Sequence, residues 1–158
     1  MEQSPIWLIF LFVGFFVLQI LYMFYKLHRG LRRRDRIRSL FAEQIPISPK
    51  EFMGLRKRND GRLNPALHVP GVYVLHNESK DLYYVGQGKS VGKRVFSHFN
   101  GSGNGDVYAD YKYDDDFTIR LLALADSGYD TLDELERYTI AAYSAHSKGY
   151  NRNRGNGW

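Results

Sequence analysis

The stretch Gly71–Gly88, GVYVLHNESKDLYYVGQG, decides the fold. Val72-Tyr73-Val74-Leu75 and Leu82-Tyr83-Tyr84-Val85 are β-branched and aromatic runs, the composition of strands. His76–Asp81 lies between them, contains Asn77 and reads as a turn, so the two runs form a β-hairpin that Gly86-Gln87-Gly88 ends. Two tripeptides mark it, Gly71-Val72-Tyr73 and Tyr84-Val85-Gly86, and each carries a tyrosine. Side chains alternate between the faces of a strand, so Tyr83 points away from Tyr84 and is the packing residue of the two.

The neighbouring segments extend the pattern. Val91–Phe99 reads as a helix with Ser90 as its cap and Val91, Val95 and Phe99 on one side. Arg94 and His98 are four residues apart and share a helix face. Asn100–Gly105 (NGSGNG) reads as a flexible loop, Phe117–Leu124 as a third strand, and Asp126-Ser127-Gly128 as a turn. Thr131–Ser144 is the last helix: Thr131 with Glu134 three residues on is a capping box, and Gly149 is the expected break after it. The order β-β-α-β-α describes a small α+β domain of about 90 residues.

Helix geometry separates the acids of the last helix. At about 100° per residue, Leu132, Leu135, Thr139, Ile140, Ala142 and Tyr143 share one arc, and Glu136 falls within it. Glu134 lies nearly opposite and is explained by the cap. A carboxylate on an apolar face is costly unless it is paired or bound to a cation. Two readings of Glu136 follow: an ion pair with Arg94 or Arg120, or a metal ligand. Asp114-Asp115-Asp116 precede a strand and read as a solvated turn.

The N-terminus is of another kind. Ile6–Tyr25 is twenty residues without a charge, with Gln19 as its one strongly polar member. At about 1.5 Å per residue it matches a bilayer core of roughly 30 Å. Trp7 at one end and Tyr22 and Tyr25 at the other suit the interfaces. A cleaved signal peptide would want basic residues before the apolar run, a shorter run and a small-residue cleavage site. All three are missing. Lys26–Arg38 holds seven basic residues and one acid, and Met1–Pro5 holds only Glu2. The positive-inside rule then predicts a single-pass membrane protein with its N-terminus outside and its C-terminal part in the cytoplasm. The basic cluster reads as a topology determinant near anionic lipid headgroups, or alternatively as a nucleic-acid arm.

Length allows one domain with an appendage, and the absence of cysteine excludes disulfides, thiolate metal sites and cysteine nucleophiles. The net charge of +5 is local: residues 71–158 carry ten basic and twelve acidic side chains. A basic isoelectric point is therefore no evidence that the folded part grips nucleic acid. Between the two parts, Leu31 to about Gln44 continues as a basic helix, and Pro46 and Pro49 interrupt it. Ser48-Pro49-Lys50-Glu51 starts a short helix to about Lys57. Asn59–Pro70 reads as loop, and Lys57, Arg58 and Arg62 are either solvated or laid along a nucleic acid. The expected organisation is a short extracytoplasmic terminus (1–5), a transmembrane helix (6–25), a basic juxtamembrane linker (26–65) and a folded domain (66–158).

From about Val69 onward the sequence resembles the GIY-YIG nuclease superfamily. The resemblance rests on an ordered set: the two tripeptides, with Val where the family name has Ile; Arg94 ten residues after Tyr84; His98; Glu136 in LDELERYTI; and Gly149-Tyr150-Asn151 followed by further glycines. It implies a three-stranded antiparallel sheet flanked by helices, one divalent cation (Mg2+ or Mn2+) and hydrolysis of DNA phosphodiesters. It assigns the metal to Glu136, the scissile phosphate to Arg94, and orientation of water or a phosphate oxygen to Tyr73 and Tyr84. The general base is Tyr73, which needs help because a free tyrosine ionises near 10, or His98, with an ordinary pKa near 6.5. Gln87, Lys93 and Asn151 are candidate substrate contacts, with Asn151 also readable as a turn residue. The expectation is a membrane-tethered endonuclease at the cytoplasmic face, suited to DNA crossing the membrane. The alternative is an anchored, non-catalytic DNA- or protein-binding module on the same fold.

Overall fold

The computed structural model describes residues 6–56 and 64–155. Met1–Pro5, Lys57, Arg58 and Arg62 lie outside the described residues. The chain divides into two units, residues 1–33 and 34–158.

Helix α1, Ile6–Ala42, runs through the first unit and into the second. In the first unit it is the one described helix long and apolar enough to cross a membrane. Among the described side chains of that unit the large apolar ones are exposed, Phe10 at 71% and Phe12 at 75%. Lys26 lies over the Tyr22 ring at 5.5 Å.

The second unit is built on a three-stranded antiparallel sheet of order β2-β1-β3, with β1 Gly71–Asn77, β2 Leu82–Gly88 and β3 Phe117–Ala123. The hairpin is longer than the apolar runs suggest, because its ladder continues through Gly86, Gln87 and Gly88. On one face, α2 (Pro49–Arg56), α3 (Val91–Phe99) and α4 (Gly105–Lys112) close a core containing Tyr73, Leu75, Val95, Phe99, Val107 and Ile119. On the other, α6 (Leu132–Tyr143) packs Leu135, Ile140 and Ala142 against Val72, Val74, Val85 and Leu122. A one-turn helix, α5 (Leu124–Ser127), links β3 to α6.

The second core also takes Ile37 and Phe41 from the end of α1, both fully buried. Residues from Arg34 onward belong to the same compact unit as the sheet. Two members of the basic cluster are used in that docking. Arg38 donates through Nε and Nη2 to the Ala142 carbonyl at 3.1 and 2.9 Å. That carbonyl is in the last turn of α6, where a cation complements the unpaired helix end. Arg36 lies over the Tyr129 ring at 5.7 Å.

Both sheet edges are covered. Ile47 exchanges two backbone hydrogen bonds with Ile119 along the outside of β3. Tyr150 N–H donates to Tyr83 O at 2.9 Å along the outside of β2. The Asn151 amide does the work of a strand there: its Oδ1 accepts from Val85 N–H at 2.8 Å and its Nδ2 donates to Val85 O at 2.7 Å.

Local capping follows the sequence in part. Ser48 and Glu51 form the reciprocal box at α2, and Thr131 Oγ1 accepts from Glu134 N–H at α6. Ser90 caps α3 by backbone position only, its hydroxyl being hydrogen-bonded to His68. α6 ends earlier than Gly149, at Ser144, which adopts the left-handed conformation with φ 55°. The predicted loop Asn100–Gly105 is brief: Asn104 caps α4 by accepting from Asp106 and Val107 N–H.

Candidate active site

The two tyrosines of the hairpin lie on the α3 side of the sheet, with ring centroids 6.2 Å apart. Register explains why a glycine follows Val85. Gly86 is the direct cross-strand partner of Tyr73, and the Tyr73 ring occupies the space a side chain at 86 would fill. The hydroxyl of Tyr73 meets His98 Nε2 at 2.8 Å, and both residues are buried.

The loop before α4 fixes the state of His98. Asn104 N–H donates to His98 Nδ1 at 2.9 Å. A nitrogen that accepts from a backbone amide carries no proton, so the neutral ring carries it on Nε2 and donates it to the Tyr73 oxygen. Gly103 permits the approach, since a Cβ there would lie 2.7 Å from Nδ1. Burial, then the nearby Arg94 charge, lowers the His98 pKa to about 4. Burial raises Tyr73 far above its ordinary value, with Tyr84 adding to the rise and Arg94 opposing it. Burial also raises Tyr84, again opposed by Arg94.

Above this pair opens a cleft of about 800 Å3, lined among others by Tyr84, Gln87, Arg94, Asp133, Glu136 and Asn151. It lies at the end of β2, where Gly86 and Gly88 leave the strand bare. Groups from both faces of the sheet meet there. Tyr84 and Arg94 come from the α3 side, Gln87 and Glu136 from the α6 side. Gln87 Nε2 donates to Glu136 Oε2 at 3.1 Å and also to Asp133. Burial, and then Asp133, raises the Glu136 pKa, while the Gln87 side chain and Arg94 lower it. Among the described residues Glu136 forms no ion pair with Arg94 or Arg120. A half-buried carboxylate whose direct partner is a neutral amide fits a bound cation. No group of three or more His, Asp or Glu converges among the described residues, so Glu136 would hold the ion chiefly with water or substrate oxygens.

Of the residues expected from sequence, Tyr84, Arg94, Glu136, Gln87 and Asn151 share the cleft, and Tyr73 and His98 lie beneath it. Lys93 is exposed on α3 and does not line it. Asn151 borders the cleft with its amide committed to Val85, so its visible role is to hold the C-terminal segment on β2. Sequence reasoning missed Asp133 and Asn104. Asp133 is legible as the residue three before Glu136 on the same helix, and Asn104 as a cap followed two residues later by Asp106. The Asp114–Asp116 run is structural where it is bonded: Asp115 accepts from Asn77 at 2.7 Å and pairs with Lys80 at 2.9 Å.

One cleft at a strand end thus gathers tyrosine, arginine and carboxylate side chains in a small α+β domain. The family model of the GIY-YIG catalytic domain matches residues 69–151. The chain belongs to the GIY-YIG family, and its folded unit carries a nuclease domain. No curated protein and no solved structure matches the chain.

Proposed function

We propose that the protein is a membrane-tethered, divalent-metal-dependent endonuclease that hydrolyses DNA phosphodiesters at the cytoplasmic face of the membrane. The observation that carries the reading is the single cleft that joins Tyr84, Arg94 and Glu136 above the Tyr73–His98 pair. A Mg2+ or Mn2+ ion held by Glu136 would supply charge neutralisation at the scissile phosphate and the leaving oxygen. Arg94 is the exposed fork of donors for the phosphate oxygens. Tyr84 orients the attacking water.

His98 is not placed to be the base. With its proton on Nε2 and Nδ1 occupied by Asn104, His98 has no free lone pair for a water. It donates to the Tyr73 oxygen instead and holds that neutral phenol beneath the cleft. Water adds to phosphorus, the P–O bond to the leaving alkoxide breaks, and the proton the water gives up passes through solvent in the open cleft to that oxygen, which leaves as an alcohol. The tether reading is supported by the exposed apolar helix from Ile9 and by the charge difference across its flanks.

The test is plasmid nicking by the full chain in neutral detergent with Mg2+ or Mn2+, beside Arg94→Ala and Glu136→Ala. Metal-dependent nicking lost in both variants is expected, and nicking no greater than theirs overturns the enzyme reading. A reporter fused after Trp158 that is active only outside the cytoplasm overturns the orientation.

A further inference from the structure

A second cleft of about 750 Å3 opens on the outer side of α6, and four basic residues line it: Arg34, Arg137, His146 and Arg154. No Asp or Glu among the described residues does so. Arg34, His146 and Arg154 are exposed, and neither Arg34 nor Arg154 is ion-paired among the described residues. Tyr138 adds an aromatic ring to the wall. Clustered guanidinium groups with no carboxylate among the described residues lining the cleft suit a phosphate-bearing ligand.

The two clefts adjoin. Asn151, Arg152 and Asn153 line the catalytic one, and Arg154, next in the chain, lines the basic one. Glu136 and Arg137, consecutive on α6, divide the same way. Gly155 packs on Arg137, where a Cβ at 155 would lie 3.2 Å from Arg137 Cα. Residues 151–155 therefore lie along α6 between two openings.

We infer that the basic cleft binds the nucleic-acid backbone that flanks the cut, so that one strand runs from Arg94 and Glu136 past the C-terminal segment to Arg34 and Arg154. This rests on the reading of the first cleft as a DNA-cutting site. It explains how a region with ten basic and twelve acidic residues from Gly71 onward holds a polyanion: the grip is concentrated, and Arg34 from the end of α1 completes it. A phospholipid headgroup has the same phosphate chemistry, but continuity with the catalytic cleft favours nucleic acid.

The test uses the full chain in neutral detergent micelles and a fluorescent duplex, with EDTA present so that nothing is cut. The double variant Arg34→Gln/Arg154→Gln removes two phosphate contacts. The slope of log affinity against log salt should become shallower by about 1.8, and binding at about 0.1 M salt should weaken at least about tenfold. Arg34→Lys/Arg154→Lys keeps the charge and should restore the slope, which separates contact from folding. With metal and subsaturating duplex, cutting by the Gln variant should fall in step with its lost binding and recover in the Lys variant. An unchanged slope overturns the inference. So does loss of saturable binding to a soluble short-chain phosphatidylglycerol with DNA binding intact, which would make the cleft a lipid site. A wild-type chain that binds DNA with the expected slope but never cuts it fails the nuclease reading instead.

Discussion

Gly86→Ala is expected to be among the most damaging small changes to the domain. The added methyl would lie 2.5 Å from Tyr73 Cζ and 3.1 Å from Cε2, and closer still to the hydroxyl. Ordinary carbon contacts begin near 3.5 Å, so the ring must retreat by about 1 Å. Tyr73 is fully buried, and close-packed interiors do not accept such a shift cheaply. The retreat also stretches the 2.8 Å bond to His98 beyond hydrogen-bonding range. Overpacking costs about 1–3 kcal/mol, and a buried polar pair left unmade costs about 1–3 more. A total near 4 kcal/mol lowers the melting temperature by roughly 10–20 °C for a unit of this size. Near-ultraviolet circular dichroism melts in detergent measure this directly. Adding Tyr73→Phe should restore part of the loss, since it removes the hydroxyl but leaves Cζ in place. Gly88→Ala is the control: its methyl meets the flexible, exposed Arg94 side chain at Cγ, so stability should fall by less than about 1 kcal/mol while nicking declines. If Gly86→Ala melts with the wild type, or Tyr73→Phe does not alter its effect, the packing argument for the Tyr-Val-Gly glycine is wrong.

Three further outcomes follow from the structure. His98 ionises near 4 in the fold and near 6.5 when unfolded, so the unfolded chain takes up the proton first as pH falls. Its stability contribution is complete above pH 6.5 and is lost through the window down to pH 4, on the order of 3 kcal/mol; denaturation of His98→Gln across that range should show a flatter profile, and an NMR midpoint near 6.5 would contradict the buried neutral ring. Asn151→Ala leaves both Val85 backbone groups without their side-chain partner and should cost about 2 kcal/mol in urea unfolding. Ser144→Gly should stabilise by about 0.5–1 kcal/mol, because Ser144 holds φ 55° at the end of α6; a loss of stability would mean that the serine side chain matters more than its backbone.

Much of this was legible because the local signals agree. The hairpin, α3, β3 and α6 have clear periodicity, and Val91, Val95 and Phe99 are all buried as their spacing requires. What escaped has physical causes. α4 buries only Val107 fully and follows a glycine-rich run, so it shows little apolar stripe. The docking stripe Ile37–Leu40–Phe41 has helical spacing but sits among arginines whose charge suggests a membrane flank. Register hid the rest: that Gly86 faces Tyr73, and that Asn151 completes the β2 edge, depends on pairings between distant segments. Lys93 was placed beside Arg94 in sequence, but adjacent helix positions diverge by about 100°, which carries it off the cleft.

The division of the site between two faces of the sheet bears on how it works. Tyr73 and His98 are sealed on the α3 side, where burial keeps both neutral, while Glu136 approaches from the α6 side, where Gln87 and the cleft keep it in contact with solvent. A sheet normally keeps side chains on its two faces apart. Here they meet because β2 ends in two glycines, and a strand without side chains is thin enough for chemistry to reach across it. The same bareness would expose an unpaired strand edge, and Tyr150 and Asn151 occupy that edge by mimicking a fourth strand. Closing the edge and opening the cleft are therefore one arrangement. A substitution that frees the C-terminal segment from β2 should loosen Glu136 and Tyr84 relative to each other before it unfolds the sheet, so that cutting fails at lower denaturant than the sheet signal does.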